Sequence, residues 1–458
     1  MAPGARSFGI LIAACAIAWH VLSVLSPAWV VTGDQQQARD FASYFYAVRV
    51  ARDGGDPYDR AQLNLASKTD GTRRGVHPFL YAPPFLLGMS WVLGFDLAGA
   101  FHLWFWLDEL LAIASGIVLW RWWRGLDEEG ALPVGWVIVV VMSLMTAIPN
   151  NHAMGQANFP GLVLALAGLW QTDRGKPQLG GALMGAACMM KMSPALFLVY
   201  WAIRREWTAI GAAILAGVAL SVLSLPFAGP VVQWGFYTHV LPTFSSGDYN
   251  GLAVPIELFG NHSLPNVLDA ILPSPSDTLS VGAQLLSGMV SVGALVALAA
   301  WFRTPPDAPA PDAFTRAAQS SCFGVLLLLI PVYTYEHHLV FAIPAAVLAI
   351  TAVSTGRLSP AWAVPVGLCV TILVFDLQVL KAMAEAIPPG LSVLAAVVRE
   401  AKFAALLGLL AATERVGHQA APAFVAVPSG GAGTAGAAGA SAGTGAAGAG
   451  AAGSGTAA

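Results

Sequence analysis

Charge is what this chain has least of. Only 10% of its 458 residues are Asp, Glu, Lys or Arg, against 57% hydrophobic, where a soluble domain carries about 25% charged residues. That balance excludes an ordinary soluble fold and predicts an all-α polytopic membrane protein. The formal net charge of −3 leaves no basic surface for a nucleic-acid partner. Cysteine is scarce too. Cys15, Cys188, Cys322 and Cys369 all sit inside apolar runs, without CxxC spacing or neighbouring histidines, and read as small packed residues, neither a disulfide framework nor metal ligands. No HxxxH with a third ligand occurs, and no DxD in the first loop, so no metal site is supported and no cofactor is expected. GxSxG occurs only as Gly439-Ala-Ser-Ala-Gly443 inside the Ala/Gly-rich end of the chain, a product of composition with no strand-to-helix pattern around it, which leaves nothing to suggest Ser/His/Asp nucleophilic catalysis.

Long apolar runs take the place of charge. A spanning helix needs roughly 20 apolar residues, and runs of about that kind lie near 8–31, 97–120, 134–149, 158–171, 179–190, 195–203, 207–227, 279–302, 317–333, 339–354, 361–377 and 395–414. They predict a bundle of about 10–13 transmembrane helices, nearly free of internal charge, with Arg399 and Lys402 as the exceptions. Ile12–Cys15 resembles a lipoprotein cleavage box, but the run continues past Cys15, and a signal-anchor first span is the simpler reading. After about Ala420 the chain turns to Gly, Ala, Ser and Thr. Residues 421–458 are expected to form a disordered cytoplasmic tail behind a 1–420 membrane domain.

The basic residues orient the bundle. Arg6, Arg121 and Arg124, Arg174 and Lys176, Arg204 and Arg205, Arg303 and Arg316, Arg357 and Arg415 occupy alternate connections, which the positive-inside bias puts in the cytoplasm. The opposite connections hold 150–158, the 228–278 loop without a single Lys or Arg, and Tyr335–His338. The first loop, 32–78, is long, and its basic residues are offset by six aspartates. It is expected to be extracytoplasmic, with both termini cytoplasmic. Only one net crossing then fits between it and Arg121, so 79–95, broken by Pro83 and Pro84, reads as re-entrant or surface-lying. Nearly every reactive side chain thus collects on the outer face, Asp40, His77, His152, Lys191, His239, Glu257, His262, Glu336, His337 and His338 among them.

Within the first loop, Asp40–Arg52 is predicted to form an amphipathic helix, since Phe41, Phe45 and Val48 recur at i, i+4 and i+7. Asp40 and Tyr44 fall on a neighbouring face, beside the open space left by Ala47 and Ala51. A carboxylate beside hydrocarbon costs about 2.5–3.5 kcal/mol on insertion scales. Asp40 therefore has either a task or a capping role at the helix start. Asp34 is a second candidate; Asp53 and Asp56 belong to a turn, Asp53-Gly-Gly-Asp-Pro57. Lys191, in Met189-Met-Lys-Met-Ser-Pro194, is the best cation for an anionic ligand, the alternative being a snorkelling lysine. Arg49 and Arg52 are further cations, at i, i+4 spacing from Asp53 and Asp56. His337 and His338 are possible donors or plain interfacial histidines. His152, Gln156 and Asn158, with Asn150 and Asn151, suit sugar hydroxyls or a tight loop equally. Tyr81, Trp234, Phe236 and Tyr237 are candidates to stack on a sugar or to belong to the membrane belt.

The ordered set Asp40-Phe-Ala-Ser-Tyr-Phe-Tyr-Ala47, Gly54-Gly-Asp-Pro-Tyr-Asp59, Phe79-Leu-Tyr-Ala-Pro-Pro84, Gly155-Gln-Ala-Asn158, Met190-Lys-Met-Ser-Pro194, Gly260-Asn-His-Ser-Leu264 and His337-His-Leu339 resembles glycosyltransferase family 87, over roughly residues 8–410. The resemblance implies a GT-C-like fold and inverting, metal-independent transfer of a hexose, above all mannose. The donor it implies is a polyprenyl-phosphate sugar, the acceptor a glycolipid or lipid-linked molecule, and the place the outer face of a bacterial plasma membrane. It makes Asp40 the general base; the departing phosphate needs positive charge or donors, for which Lys191 with His337 or His338 is the best set. Tyr44, Arg49, Tyr81, His152, Gln156, Asn158, Asn261 and His262 become candidates for substrate binding. Two features depart from the family pattern: His262 stands where Gln is expected, and the Ala/Gly tail has no counterpart. The chemistry suits one carboxylate, because a lipid phosphate leaves as a good anion and needs no paired general acid of the glycosidase kind. A transporter or flippase of lipid-linked sugars is the main rival, though no two-halved repeat is visible. A polymerase or ligase consuming a lipid-diphosphate donor is the second.

Overall fold

A computed structural model describes residues 3–30, 39–71, 75–252, 256, 258–274, 278–303 and 310–418. Asp34, Glu257 and the Ala/Gly-rich tail lie outside the described residues. Among the described residues the regular structure is all helical. In chain order the helices are α1 (Pro3–Val30), α2 (Arg39–Arg52), α3 (Arg60–Thr69), α4 (Pro83–Gly88), α5 (Leu97–Trp123), α6 (Val134–Leu144), α7 (Ala147–Met154), α8 (Asn158–Asp173), α9 (Pro177–Met190), α10 (Leu196–Ile203) and α11 (Trp207–Ala228). There follow α12 (Pro230–Gly235), α13 (Leu241–Thr243), α14 (Leu264–Ile271), α15 (Val281–Phe302), α16 (Ala313–Leu329), α17 (Ile343–Ser354), α18 (Ala363–Val374), α19 (Leu377–Ala386), α20 (Ser392–Arg399) and α21 (Ala401–His418).

Among the described residues, four helical stretches are long and apolar enough to cross a membrane: 97–126, 207–228, 281–302 and 336–354. Two bent pairs raise the number to six if each is one span, α6 with α7 at 53° and 360–374 with α19 at 100°. The protein is an all-α polytopic membrane protein. Several apolar runs are realised as short helices instead of full spans, because Pro, Gly or a polar turn interrupts the hydrogen-bond ladder. Residues 83–94 make two such pieces, α4 and a 3₁₀ turn at Ser90–Gly94, of six and five residues; neither is long enough to cross.

The expectation of spans nearly free of acids is corrected at α5. Asp108 and Glu109 lie inside it, and Asp108 is completely buried. Lys402 on α21 is equally buried and meets the Glu336 carboxylate and the carbonyl of Phe375, the latter at 2.7 Å. That carbonyl terminates α18 where the chain turns sharply into α19, so the ammonium closes the helix end as well as pairing the acid.

Small residues set the tightest packing. α9 lies between α8 and α11, and a Cβ on Gly181 or Gly185 would collide with the backbone carbonyls of Ala209 and Ala213. Without a hydrophobic force between helices in lipid, close backbone approach of this kind supplies the attraction. α9 ends at Lys191, whose backbone is already extended. The loop helix α2 forms as the periodicity predicts, with Phe41, Phe45 and Val48 fully buried. It is not a half-exposed surface helix, however: Tyr44, Tyr46, Ala47 and Ala51 are buried too, so the space beside Asp40 is lined by packed side chains.

Candidate active site

Asp40 stands in the first turn of α2, and its carboxylate faces two side chains brought from other elements. Oδ1 lies 2.7 Å from Nδ1 of His77, in the irregular segment before Pro78. Oδ2 accepts from Nε2 of Gln156 at 2.5 Å. The other end of the Gln156 amide is equally engaged: its Oε1 accepts from the Tyr81 hydroxyl at 3.0 Å and from Lys191 Nζ at 3.5 Å. Tyr44 Oη lies 2.6 Å from Tyr81 Oη. Since Tyr81 spends its single hydroxyl proton on Gln156, Tyr44 is the donor in that pair. A directed chain therefore runs Tyr44 to Tyr81 to Gln156 to Asp40 and fixes which way the amide points.

The electrostatics follow from this packing. Burial alone would push the Asp40 carboxyl up, but the hydrogen bond and charge of His77, the charge of His337 and the Gln156 amide together hold it below the usual carboxylate range. Asp40 is ionised at neutral pH. Burial pushes the phenols of Tyr44 and Tyr81 up, so both remain donors. Lys191 stands in the non-helical break between α9 and α10, outside the spanning stretches. Burial lowers its ammonium to about 7, against the opposing pull of Asp40 and Asp108. His337 is close enough to feel the charges of both Asp40 and Lys191.

The turn that carries Gln156 is locally determined. Gly155 adopts φ +66 as the left-handed cap of α7, and a Cβ there would lie 2.6 Å from Phe41 Cβ. Glycine satisfies both the conformation and the contact. Trp104 Nε1 donates to its carbonyl at 3.1 Å.

The structure thus brings Asp40, Tyr44, Tyr81, Gln156 and Lys191 into one cluster, with His337 beside it. The other candidates are engaged elsewhere. Arg49 pairs with Asp70 at 2.6 Å and lies over the Phe45 ring, and Arg52 pairs with Asp53, its chain neighbour. His152 sits between Asp108 and Glu109. Asn158 donates to Asn151 Oδ1 and to the His337 carbonyl. His338 Nδ1 accepts from the Tyr335 backbone N–H at 3.1 Å. Asn261 donates to the carbonyls of Ile256 and Val332 and accepts from Thr334 N–H, pinning the 331–335 segment. His262 is buried 3.4 Å from Glu336. Two features escaped sequence reasoning. His77 sits among the outer-face residues, but nothing local links it to Asp40. The signal for Asp108 and Glu109 was there, two adjacent acids inside an apolar run. Among the described residues no group of His, Cys, Asp or Glu is arranged to hold a metal.

Residues 79–331, more than half of the chain, match the model of glycosyltransferase family 87. The chain belongs to this family. Tyr81, Gln156, Lys191, Asn261 and His262 fall inside the family 87 match, whereas Asp40, His77 and the histidine pair at 337 and 338 lie beyond its ends. A polyprenol-phosphate-mannose-dependent α-(1-2)-phosphatidylinositol mannoside mannosyltransferase from Mycolicibacterium smegmatis is 26% identical over 267 residues, covering 55% of this chain and 56% of that protein. A protein of the same description from Mycobacterium tuberculosis is 26% identical over 133 residues, covering 28% of this chain and 30% of that protein. The chain thus spans about half the length of the first of these relatives, and less than a third of the second.

Proposed function

We propose that this family 87 protein transfers mannose from a polyprenyl-phosphate donor to a glycolipid acceptor at the extracytoplasmic face of the membrane, with inversion. The observation that carries the proposal is the Asp40 carboxylate, ionised, held by His77 and Gln156, and one amide away from the Lys191 ammonium. An acceptor hydroxyl attacks the anomeric carbon; its proton passes to Asp40 as the new C–O bond forms. The bond from that carbon to the phosphate oxygen breaks, and the lipid phosphate departs as an anion. Lys191 and one of His337 and His338 supply the positive charge and donors that hold it. Attack from the side opposite the leaving group inverts the centre. The descriptions of the two mannosyltransferase relatives favour this donor.

The direct test is transfer of labelled mannose from polyprenyl-phosphate mannose in purified membranes. Incorporation into a glycolipid is expected; uptake or flipping of the donor without transfer would favour the transporter reading. That rival draws on the buried Asp108, Glu109 and Lys402, since transporters place ionisable groups within spans. Here each of the three is held by at least one protein partner, Asp108 through its Oδ2 alone.

Two further outcomes are expected. Because the Lys191 ammonium is lost as pH rises through about 7, the KM for donor should climb between roughly pH 7 and 8.5 in the wild type. Lys191→Gln should raise the donor KM and flatten that climb while changing the acceptor KM little; equal effects on both substrates would remove Lys191 from the phosphate site. The side of the membrane is tested at Lys68, exposed on α3 in the first loop. Lys68→Cys should react with an impermeant maleimide in intact cells, and reaction only after lysis would place the loop and the cluster in the cytoplasm.

A further inference from the structure

We propose that Asp108 is a positioning residue for the transfer reaction: from inside α5 it fixes the end of α7 and the 155–157 turn that follows, and thereby aims Gln156 at Asp40. The inference rests on the Asp40 reading above. A carboxylate within a spanning helix is costly, and Asp108 is entirely buried without touching the Asp40 cluster. Its Oδ2 accepts from Asn151 Nδ2 at 2.6 Å and faces His152 Nδ1 at 2.7 Å. His152 Nε2 lies 2.8 Å from Glu109 Oε2, and Glu109 Oε1 lies 3.0 Å from His20 Nε2 on α1. One run of polar contacts therefore ties α7 to both α5 and α1.

Asn151 is where this run meets the site. Its carbonyl accepts from Gln156 N–H at 3.0 Å, and its side-chain amide reaches the Gln156 carbonyl at 3.4 Å. Both backbone groups of Gln156 are thus clamped by one residue, and that residue's amide is oriented by Asp108. Asn151 Oδ1 accepts from Asn158 Nδ2 at 2.7 Å, and the same Asn158 amide donates to the His337 carbonyl at 2.9 Å. The single carboxylate therefore sets two things at once: the amide that holds the base, and the backbone of a histidine beside the departing phosphate. Glycine at 155 lets the turn close, but closure alone leaves the Gln156 backbone free to rock; the buried charge removes that freedom.

Asp108→Asn keeps the size and removes the charge. Misplacement by about 1 Å costs on the order of 100-fold, so kcat should fall roughly 10- to 100-fold with the donor KM within about twofold of wild type. A lost fold would instead reduce the amount of active protein and leave kcat per folded molecule unchanged. In a double-mutant cycle with Gln156→Ala, the two losses should be far from additive, because the second change has nothing left to aim. Additive losses, or a retained kcat, would overturn the inference. Hydrogen exchange supplies a readout independent of mannose: the 151–158 segment should exchange faster in Asp108→Asn while α16 does not change, and unaltered exchange at 151–158 counts against the proposal. If the wild-type protein transfers no mannose, the transfer reading fails, while the exchange result still decides whether Asp108 holds the turn. Should Asp108→Asn not fold, Asn151→Ala breaks the same link and carries both measurements.

Discussion

Asp40→Asn is expected to lower the proposed mannose transfer by about 100- to 10,000-fold while the protein still inserts and folds. The asparagine side chain fills the same space. One of its atoms still accepts, from Gln156, and its NH₂ meets His77, which can present a lone pair by changing tautomer. What is lost is the capacity to take up a proton at neutral pH. Because the carboxyl is held below its usual range, it is a weak base as well as a reliably ionised one. That suits a step in which the phosphate has largely left before the acceptor proton moves. The measurement is the rate of transfer from labelled donor, normalised to folded protein in detergent. Turnover within a few-fold of wild type would remove Asp40 from the chemistry.

Lys402→Ala is expected to have the largest effect on stability. It strands the Glu336 carboxylate in the interior and leaves the Phe375 carbonyl to the weaker contact with the Thr146 hydroxyl at 3.2 Å. Breaking a buried ion pair by removing one partner typically costs about 3–5 kcal/mol. Glu336 keeps one other close contact, the Thr146 hydroxyl at 2.9 Å, with the His262 ring at 3.4 Å, and neither replaces the ammonium. The double variant Lys402→Met with Glu336→Gln should recover much of the loss, since neither half then carries an unpaired charge. Thermal unfolding of the purified protein in detergent distinguishes the cases. A midpoint for Lys402→Ala equal to that of the wild type would show that the pair contributes nothing to the fold.

The parts legible in the sequence are those that local spacing encodes. Phe41, Phe45 and Val48 announced α2 because one helical face repeats within the segment. The polar 150–158 stretch was legible as a gathering of hydrogen-bonding side chains between apolar runs. The membrane class was legible from composition. Partnerships across the chain were not. His77 lies 37 residues from Asp40 and Gln156 lies 116, and no periodicity records such a meeting. The two acids in α5 were visible as residues, but they scarcely alter the mean hydropathy of a long apolar run, and nothing local names the partners that bury them. The expected 10–13 spans came from counting apolar runs, whereas the chain breaks several of them at Pro or Gly into short helices that share the interior.

The seam of α9 and α11 also has a bearing on chemistry some distance away. Lys191 is the residue at which α9 stops, six positions beyond Gly185, or about 9 Å along the axis. Where two backbones touch through glycine, neither helix can slide or roll without a clash, so the pair works as a ruler whose tip carries the cation. A single added methyl at Gly185 would lengthen the gap between the rods and swing that tip. The reach of that ammonium would then be decided by the absence of one carbon atom about two turns away from it.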